Sequence, residues 1–142
     1  MCVLTNNSMA HALIDLSKEK DKHHRFYMMV DFIERAIMDV RPDLVVVEGV
    51  ALQRSPHTLI ELANLQGIVF YICRKANIDC VSLLPSEWRK QLGFKQGRVK
   101  REELKAQAIS YIKANYGEVV STDEADAICI AEAAMLTFKN NQ

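Results

Sequence analysis

Hydrophobic residues recur at intervals of three and four positions in several stretches of the chain, a spacing typical of amphipathic helices. The stretches cover residues 20–40, 56–77, 101–116 and 125–138. Pro42 ends the first, Ser55 and Pro56 supply the N-cap and first turn of the second, and Gly117 ends the third. Pro85 opens a further short helical piece up to residue 93. We therefore expect four longer helices and one short one.

Two apolar runs predict strands. Leu44–Val47 is β-branched and has no polar alternation, as expected of a strand buried on both faces of a parallel sheet. Residues 78–84 form a second strand candidate and 9–16 a further one, whereas residues 2–4 are too few to assign. The order helix, strand, helix, strand, helix, helix predicts an α/β fold with right-handed crossovers between parallel strands.

Composition is that of an ordinary globular chain. It has 142 residues, 49% hydrophobic and 25% charged, with a formal net charge of zero, which excludes disordered and collagen-like classes. The longest apolar run, 67–73, is too short to span a bilayer, and no secretory leader opens the chain. Four widely spaced cysteines fit neither a disulfide framework nor a zinc site. We expect a single domain in the cytoplasm, with reduced thiols and no membrane partner.

Charge is unevenly distributed along the chain. Residues 88–105 carry seven basic and two acidic side chains, a net charge of +5, whereas residues 118–132 carry five acids and no base. A basic segment beside an acidic pocket is the layout of a nuclease, although a solvated helix remains an open alternative. The candidate DNA contacts are Arg89, Lys90, Lys95, Arg98, Lys100 and Arg101. Among them, Lys100 is the favoured contact to a phosphate.

Three carboxylates are candidates for chemistry. Glu48 follows the apolar strand, where open α/β sheets place their ligand sites. Asp123 and Asp126 share one face of the last helix, and Ile130 continues that face toward the core. Hard oxygen ligands of this kind suit Mg²⁺ or Mn²⁺. The alternatives are a solvent-facing strand end at Glu48 and favourable helix-dipole placement of the two aspartates.

Other polar residues have plainer interpretations. Ser121 and Glu124 have the spacing of a capping box at the start of the last helix. His11, His23, His24 and His57 show no metal-ligand spacing and are predicted to lie at the surface.

Several segments occur in an order that resembles the RuvC family of Holliday-junction resolvases, especially its phage and prophage members. They are LVVVEG at 44–49, LANLQG at 62–67, LPSEWR at 84–89, the Lys100 region and TDEADA at 122–127. The resemblance covers roughly residues 20–138. It implies an RNase H-like mixed sheet flanked by helices, a homodimer, Mg²⁺ dependence, and paired nicks in strands of like polarity at four-way DNA junctions.

The resemblance also implies roles for individual residues. Glu48, Asp123 and Asp126 correspond to family metal ligands, and Lys100 to the family's basic residue ahead of the penultimate long helix. Residues on the helix that packs against its counterpart in the family's dimer correspond to Leu62, Leu65, Gln66 and Gly67.

The chain departs from the family at its N-terminal end. The family begins with a strand that bears a further metal aspartate, followed by a glycine-rich turn, and no such segment precedes Met9. The expectation is an N-terminally short domain with an incomplete hairpin. An alternative function is then a catalytically impaired module that binds junction DNA or a partner subunit; another RNase H-like nuclease or a transposition function is a third.

A lesser departure follows Glu48. Val50, Ala51 and Leu52 are aliphatic where some family members have an aromatic residue that opens the junction. An aliphatic wedge is the corresponding expectation here.

Overall fold

The structure is a computed structural model that describes residues 1–5, 8–50 and 55–139. Its elements are β1 (Cys2–Leu4), β2 (Met9–His11), α1 (Lys22–Val40), β3 (Leu44–Glu48), α2 (Pro56–Ala76), β4 (Asp79–Leu83), α3 (Pro85–Gln91), α4 (Arg101–Tyr116) and α5 (Thr122–Lys139). The predicted helices and the two main strands are therefore confirmed, with bounds shifted by at most three residues, the largest shift being at the start of α5.

The chain divides into two compact units. Ile14–Ser82 forms one, here called the central unit, and Met1–Leu13 with Leu83–Gln142 forms the other, here called the terminal unit. That they act as one domain stays a prediction.

The central unit is built on α1 and α2, whose ends are set by local chemistry. The Asp21 carboxylate accepts hydrogen bonds from the backbone N–H groups of His23 and His24, which caps α1. The Ser55 hydroxyl accepts from the Thr58 N–H at 3.4 Å and caps α2, as predicted. Asn77, at φ 56°, ends α2 in the left-handed region that asparagine tolerates.

The core of the central unit is small and apolar. Ile37 of α1 packs with residues of α2 and with β3 and β4; the α2 residues are Val69, Ile72 and Cys73. Among the described strands β3 pairs with β4, and Leu44–Val47 is only half-buried. The expectation that this strand is buried on both faces is therefore wrong in this structure.

The terminal unit joins the N-terminal hairpin to α3, α4 and α5. β1 and β2 pair antiparallel, with Cys2 opposite His11 and Leu4 opposite Met9. Residues 2–4, which were too few to assign from the sequence, thus form a strand. In contrast, β2 ends before the predicted residue 16. Helix α5 packs against β1, α3 and α4. The largest fully buried side chains of the terminal unit are Trp88, Ile112, Ile128 and Cys129.

Two further expectations concern the membrane and the cysteines. Within the described residues, no helix is both long and apolar enough to cross a membrane. All four cysteines are free thiols, as predicted, and Cys73 and Cys129 are buried.

Candidate active site

Helix α5 begins with a complete capping box. The backbone N–H and the hydroxyl of Ser121 donate to Glu124 Oε2 at 3.0 and 2.7 Å, and the Glu124 N–H donates back to the Ser121 hydroxyl at 3.3 Å. These bonds from Ser121, and a further one from His11, lower the pKa of Glu124 to about 2. The predicted capping role of Glu124 is confirmed, and the start of α5 is fixed in place.

Asp123 and Asp126 lie one turn apart in this fixed segment. Asp126 is half-buried, whereas Asp123 is exposed. Burial, and then the negative charge of Asp126, raise the pKa of Cys129 to about 12. The expectation that both aspartates face the core is wrong for Asp123, because it precedes Ala125, the first buried residue of the helix.

Glu48 is the last residue of β3 and is exposed, followed by the buried Gly49. It belongs to the central unit, whereas Asp123 and Asp126 belong to the terminal unit. Within residues 1–5, 8–50 and 55–139, no three His, Cys, Asp or Glu side chains converge closely enough to hold one metal ion. The shared ligand role of the three carboxylates therefore stays a prediction.

The basic segment presents its charges to solvent. Exposed cations in it are Lys90, Lys95, Arg98, Lys100 and Arg101. None of these five forms an ion pair with another described residue. Unpaired, exposed cations are available to neutralise phosphate charges, as the charge pattern predicts.

The loop between α3 and α4, which carries Lys95 and Arg98, is held by side-chain amides. Gln107 on α4 binds the Lys95 backbone twice: its Oε1 accepts from the Lys95 N–H at 2.7 Å, and its Nε2 donates to the Lys95 carbonyl at 3.1 Å. Gln96 Nε2 donates to the Ser86 carbonyl at 3.0 Å. Gly97, at φ 88°, supplies a backbone angle that other residues rarely adopt. The loop is thus anchored to both α3 and α4.

Arg89 differs from the other cations of the segment. It is half-buried, its guanidinium carbon lies 4.7 Å from the centre of the Trp88 ring, and its Nε is buried without a hydrogen-bond partner among the described residues. Trp88 also packs edge-on against Phe94, which packs against Tyr111. Arg89 is therefore part of the packing around this aromatic group, and its role as a DNA contact stays a prediction.

His11 is the polar residue that sequence reasoning missed. Its Nδ1 lies 2.9 Å from Glu124 Oε1, and its Nε2 lies 3.0 Å from Glu118 Oε2. Its side chain is 23% exposed, so it lies partly buried at the surface, whereas His23, His24 and His57 are exposed as predicted. The two partners stand 107 and 113 residues away, and no local pattern signals contacts of that range.

The two contacts of His11 favour its protonated form. An ionised carboxylate only accepts hydrogen bonds, so a ring that binds two of them donates from both nitrogens, as an imidazolium does. The hydrogen bonds to Glu118 and then to Glu124 raise the pKa of His11 above its usual 6.5.

The predicted dimer helix has an exposed apolar face. On α2, Ile60 is 59% exposed and Tyr71 is 64% exposed, and a Cβ added at Gly67 would meet no atom within 4 Å other than those of its own stretch of helix. Of the predicted interface residues, Leu62 is exposed and Leu65 and Gln66 are half-buried. In the predicted wedge, Ala51 and Leu52 lie outside the described residues.

Comparison with known proteins finds relatives in sequence that carry the same name. No protein-family model matches the chain. The RuvC crossover junction endodeoxyribonuclease of Rickettsia bellii is 21% identical over 130 residues, which are 91% of this chain and 81% of the relative. The corresponding protein of Rickettsia conorii is 22% identical with the same coverage.

The solved structures that superpose on this chain include RuvC. Thermus thermophilus RuvC superposes with a TM-score of 0.74 at 16% identity, over 99% of this chain and 87% of that one. The same protein in complex with a Holliday junction substrate superposes with a TM-score of 0.65 at 17% identity, over 88% and 76%. The resemblance of this chain to the RuvC family is thereby confirmed in sequence over nine-tenths of its length, and its fold is the RNase H-like fold of RuvC.

Proposed function

We propose that the chain is a metal-dependent endonuclease that resolves four-way or branched DNA junctions by phosphodiester hydrolysis. The observation that carries the proposal is the capped start of α5, which holds Asp123 and Asp126 one turn apart in a chain similar to crossover junction endodeoxyribonucleases. One of the similar structures is itself a complex with a Holliday junction substrate.

The donor set at this position fits a hard divalent cation. Asp123 and Asp126 offer carboxylate oxygens from one segment, and the exposure of Asp123 leaves room for water and phosphate. Mg²⁺ is the proposed ion, with Mn²⁺ as a substitute, and Glu48 is the proposed third ligand because it follows an apolar strand as the family's acid does. When bound, such ions activate water and stabilise the leaving oxygen.

DNA binding is assigned to the basic segment. Its exposed, unpaired cations would hold the backbone phosphates. Lys100, at the N-cap of α4, would take the role of the family's basic residue. Lys95 is pre-ordered by Gln107, so that part of the segment has little freedom to lose on binding.

A homodimer is proposed through α2. The exposed apolar side chains Ile60 and Tyr71 and the open position at Gly67 give this helix a face that a second copy could cover closely. The assembly would act on DNA in the cytoplasm.

The test is cleavage of a synthetic four-way junction in Mg²⁺. We expect the unsubstituted chain to nick the junction, and Asp126→Asn and Asp123→Asn to lower the cleavage rate at least about 100-fold, because each removes a charged metal ligand. The matched control is Glu102→Gln, which neutralises an exposed acid in the first turn of α4. Equal cleavage by Asp126→Asn and the unsubstituted chain would refute the proposed site.

A further inference from the structure

A side chain of the hairpin, His11, hydrogen-bonds to the start of α5. His11 donates to Glu118 in the connection between α4 and α5 and to Glu124 in the first turn of α5. Among the described residues, these are the hydrogen bonds that link either glutamate to a residue outside that region. In the segment that leads into α5, Val119 is 86% exposed to solvent.

His11 is itself held by the scaffold. It pairs with Cys2 across the hairpin, and the strand that contains Cys2 packs along α5. The backbone of His11 is therefore held in a paired strand, and its ring is held by its two glutamate contacts.

We propose that His11 is a positioning residue for the two α5 aspartates. By binding Glu118 on one side and Glu124 on the other, it holds the first turn of α5, which carries Asp123 and leads directly to Asp126. Loss of a group bonded directly to a metal ligand commonly changes metal affinity about 10- to 100-fold, and His11 acts through the neighbouring Glu124, so the lower end of that range is expected. The inference rests on the proposed function for its catalytic consequence, whereas its structural consequence can be read without DNA or metal.

The structural test is amide hydrogen exchange of the free protein. We expect His11→Ala to speed exchange at residues 121–126 about 10-fold, while exchange deeper in the terminal unit, at Ile112 and Ile128, changes little. His24→Ala is the matched control, because among the described residues the ring of that histidine hydrogen-bonds to Glu19, five residues away, and to no residue of the terminal unit. Unchanged exchange at 121–126, or an equal increase throughout the unit, would overturn the proposal.

The catalytic test is the Mn²⁺ dependence of junction cleavage. We expect His11→Ala to raise the Mn²⁺ concentration for half-maximal cleavage about 10-fold, with the rate largely recovered at saturating Mn²⁺. Loss of global stability alone would not move this concentration selectively. An unshifted Mn²⁺ response in a folded His11→Ala protein would overturn the proposal.

Two further measurements distinguish a variant that fails to fold from a proposed function that fails. If His11→Ala does not fold, Glu118→Ala removes one of the two bonds and leaves the hairpin intact; the same local gain in exchange is then expected, and its absence overturns the proposal. If the unsubstituted chain cuts no junction at any Mn²⁺ concentration, the proposed function fails, and the exchange measurement still decides the positioning role.

Discussion

His11 Nδ1 lies 2.9 Å from Glu124 Oε1, and this contact joins the N-terminal hairpin to the first turn of the last long helix, 113 residues later. The same turn carries Asp123, and Asp126 follows in the next turn; these two are the proposed metal ligands. The short hairpin thus supports the segment on which the proposed chemistry depends. The contact also makes the ionisation of one histidine a measurable property of the site.

The first prediction concerns the pKa of His11. Two carboxylate partners favour the imidazolium, so the titration midpoint of His11 in the folded protein should lie above 6.5. NMR titration of the ring C–H signals measures it directly. Glu118→Gln should lower the midpoint, since it removes one of the two negative charges, and an unshifted midpoint in the unsubstituted protein would contradict the imidazolium assignment.

The sign of the linked stability effect follows from the same shift. Because the pKa is raised on folding, the contribution of His11 to stability is fully present below about pH 6.5 and is lost as pH rises through the folded-state value. The difference in melting temperature between the unsubstituted protein and His11→Ala should therefore be largest below about pH 6.5 and should shrink as the pH rises.

A second prediction concerns the cap of α5. Ser121→Ala removes a hydroxyl that both accepts from the Glu124 N–H and donates to its carboxylate. The expected loss is about 1 kcal/mol in the free energy of unfolding, measured by urea denaturation. Ser110→Ala, an exposed position within α4, is the control. A loss no larger than that of the control would show that the capping box does not stabilise the helix.

The helices were accessible from sequence because their signals are local. Pro42, Ser55 and Gly117 act on neighbouring backbone, and the structure ends or begins helices beside each of them. Residues 9–16 were harder, because strand length depends on the partner: pairing with β1 extends only as far as the hydrogen bonds between Met1 and Ala12.

In the candidate site, the sequence predicted the cap of α5 and did not predict the long-range contacts. The pairing of Ser121 with Glu124 spans three residues and follows from spacing alone. The contacts of His11 and the stacking of Arg89 on Trp88 depend on how distant or adjacent side chains pack, which periodicity does not encode. The net charge of residues 88–105 likewise could not show that Arg89 is half-buried whereas the cations around it are exposed.

A third prediction addresses the anchored loop. Gln107→Ala removes both hydrogen bonds to the Lys95 backbone and should weaken binding of a four-way junction several-fold, because the loop must then be ordered on binding. The slope of affinity against salt concentration should stay the same, since no cation is removed. Gln91→Ala at the end of α3 is the control. Fluorescence anisotropy at several salt concentrations checks both statements, and unchanged affinity would count against pre-ordering.

A fourth prediction tests the dimer. Gly67→Glu places a charged side chain where an added Cβ would meet no atom within 4 Å other than those of its own stretch of helix, so the folded monomer should tolerate it. Across a close helix contact between copies, the same side chain should weaken association at least about 10-fold. Sedimentation equilibrium measures the change, with Tyr27→Glu on α1 as the control for an added exposed charge. A dimer unaffected by Gly67→Glu would place the interface elsewhere.

The most direct measurement of the central claim compares single-turnover cleavage of a four-way junction with that of a linear duplex built from the same arm sequences, in Mg²⁺. We predict cleavage of the junction, as paired nicks in two strands of like polarity, at a rate far above that of the duplex. Equal cleavage of both substrates, or junction binding with no cleavage at saturating Mg²⁺ or Mn²⁺, would contradict the assignment of this chain as a junction-resolving endonuclease.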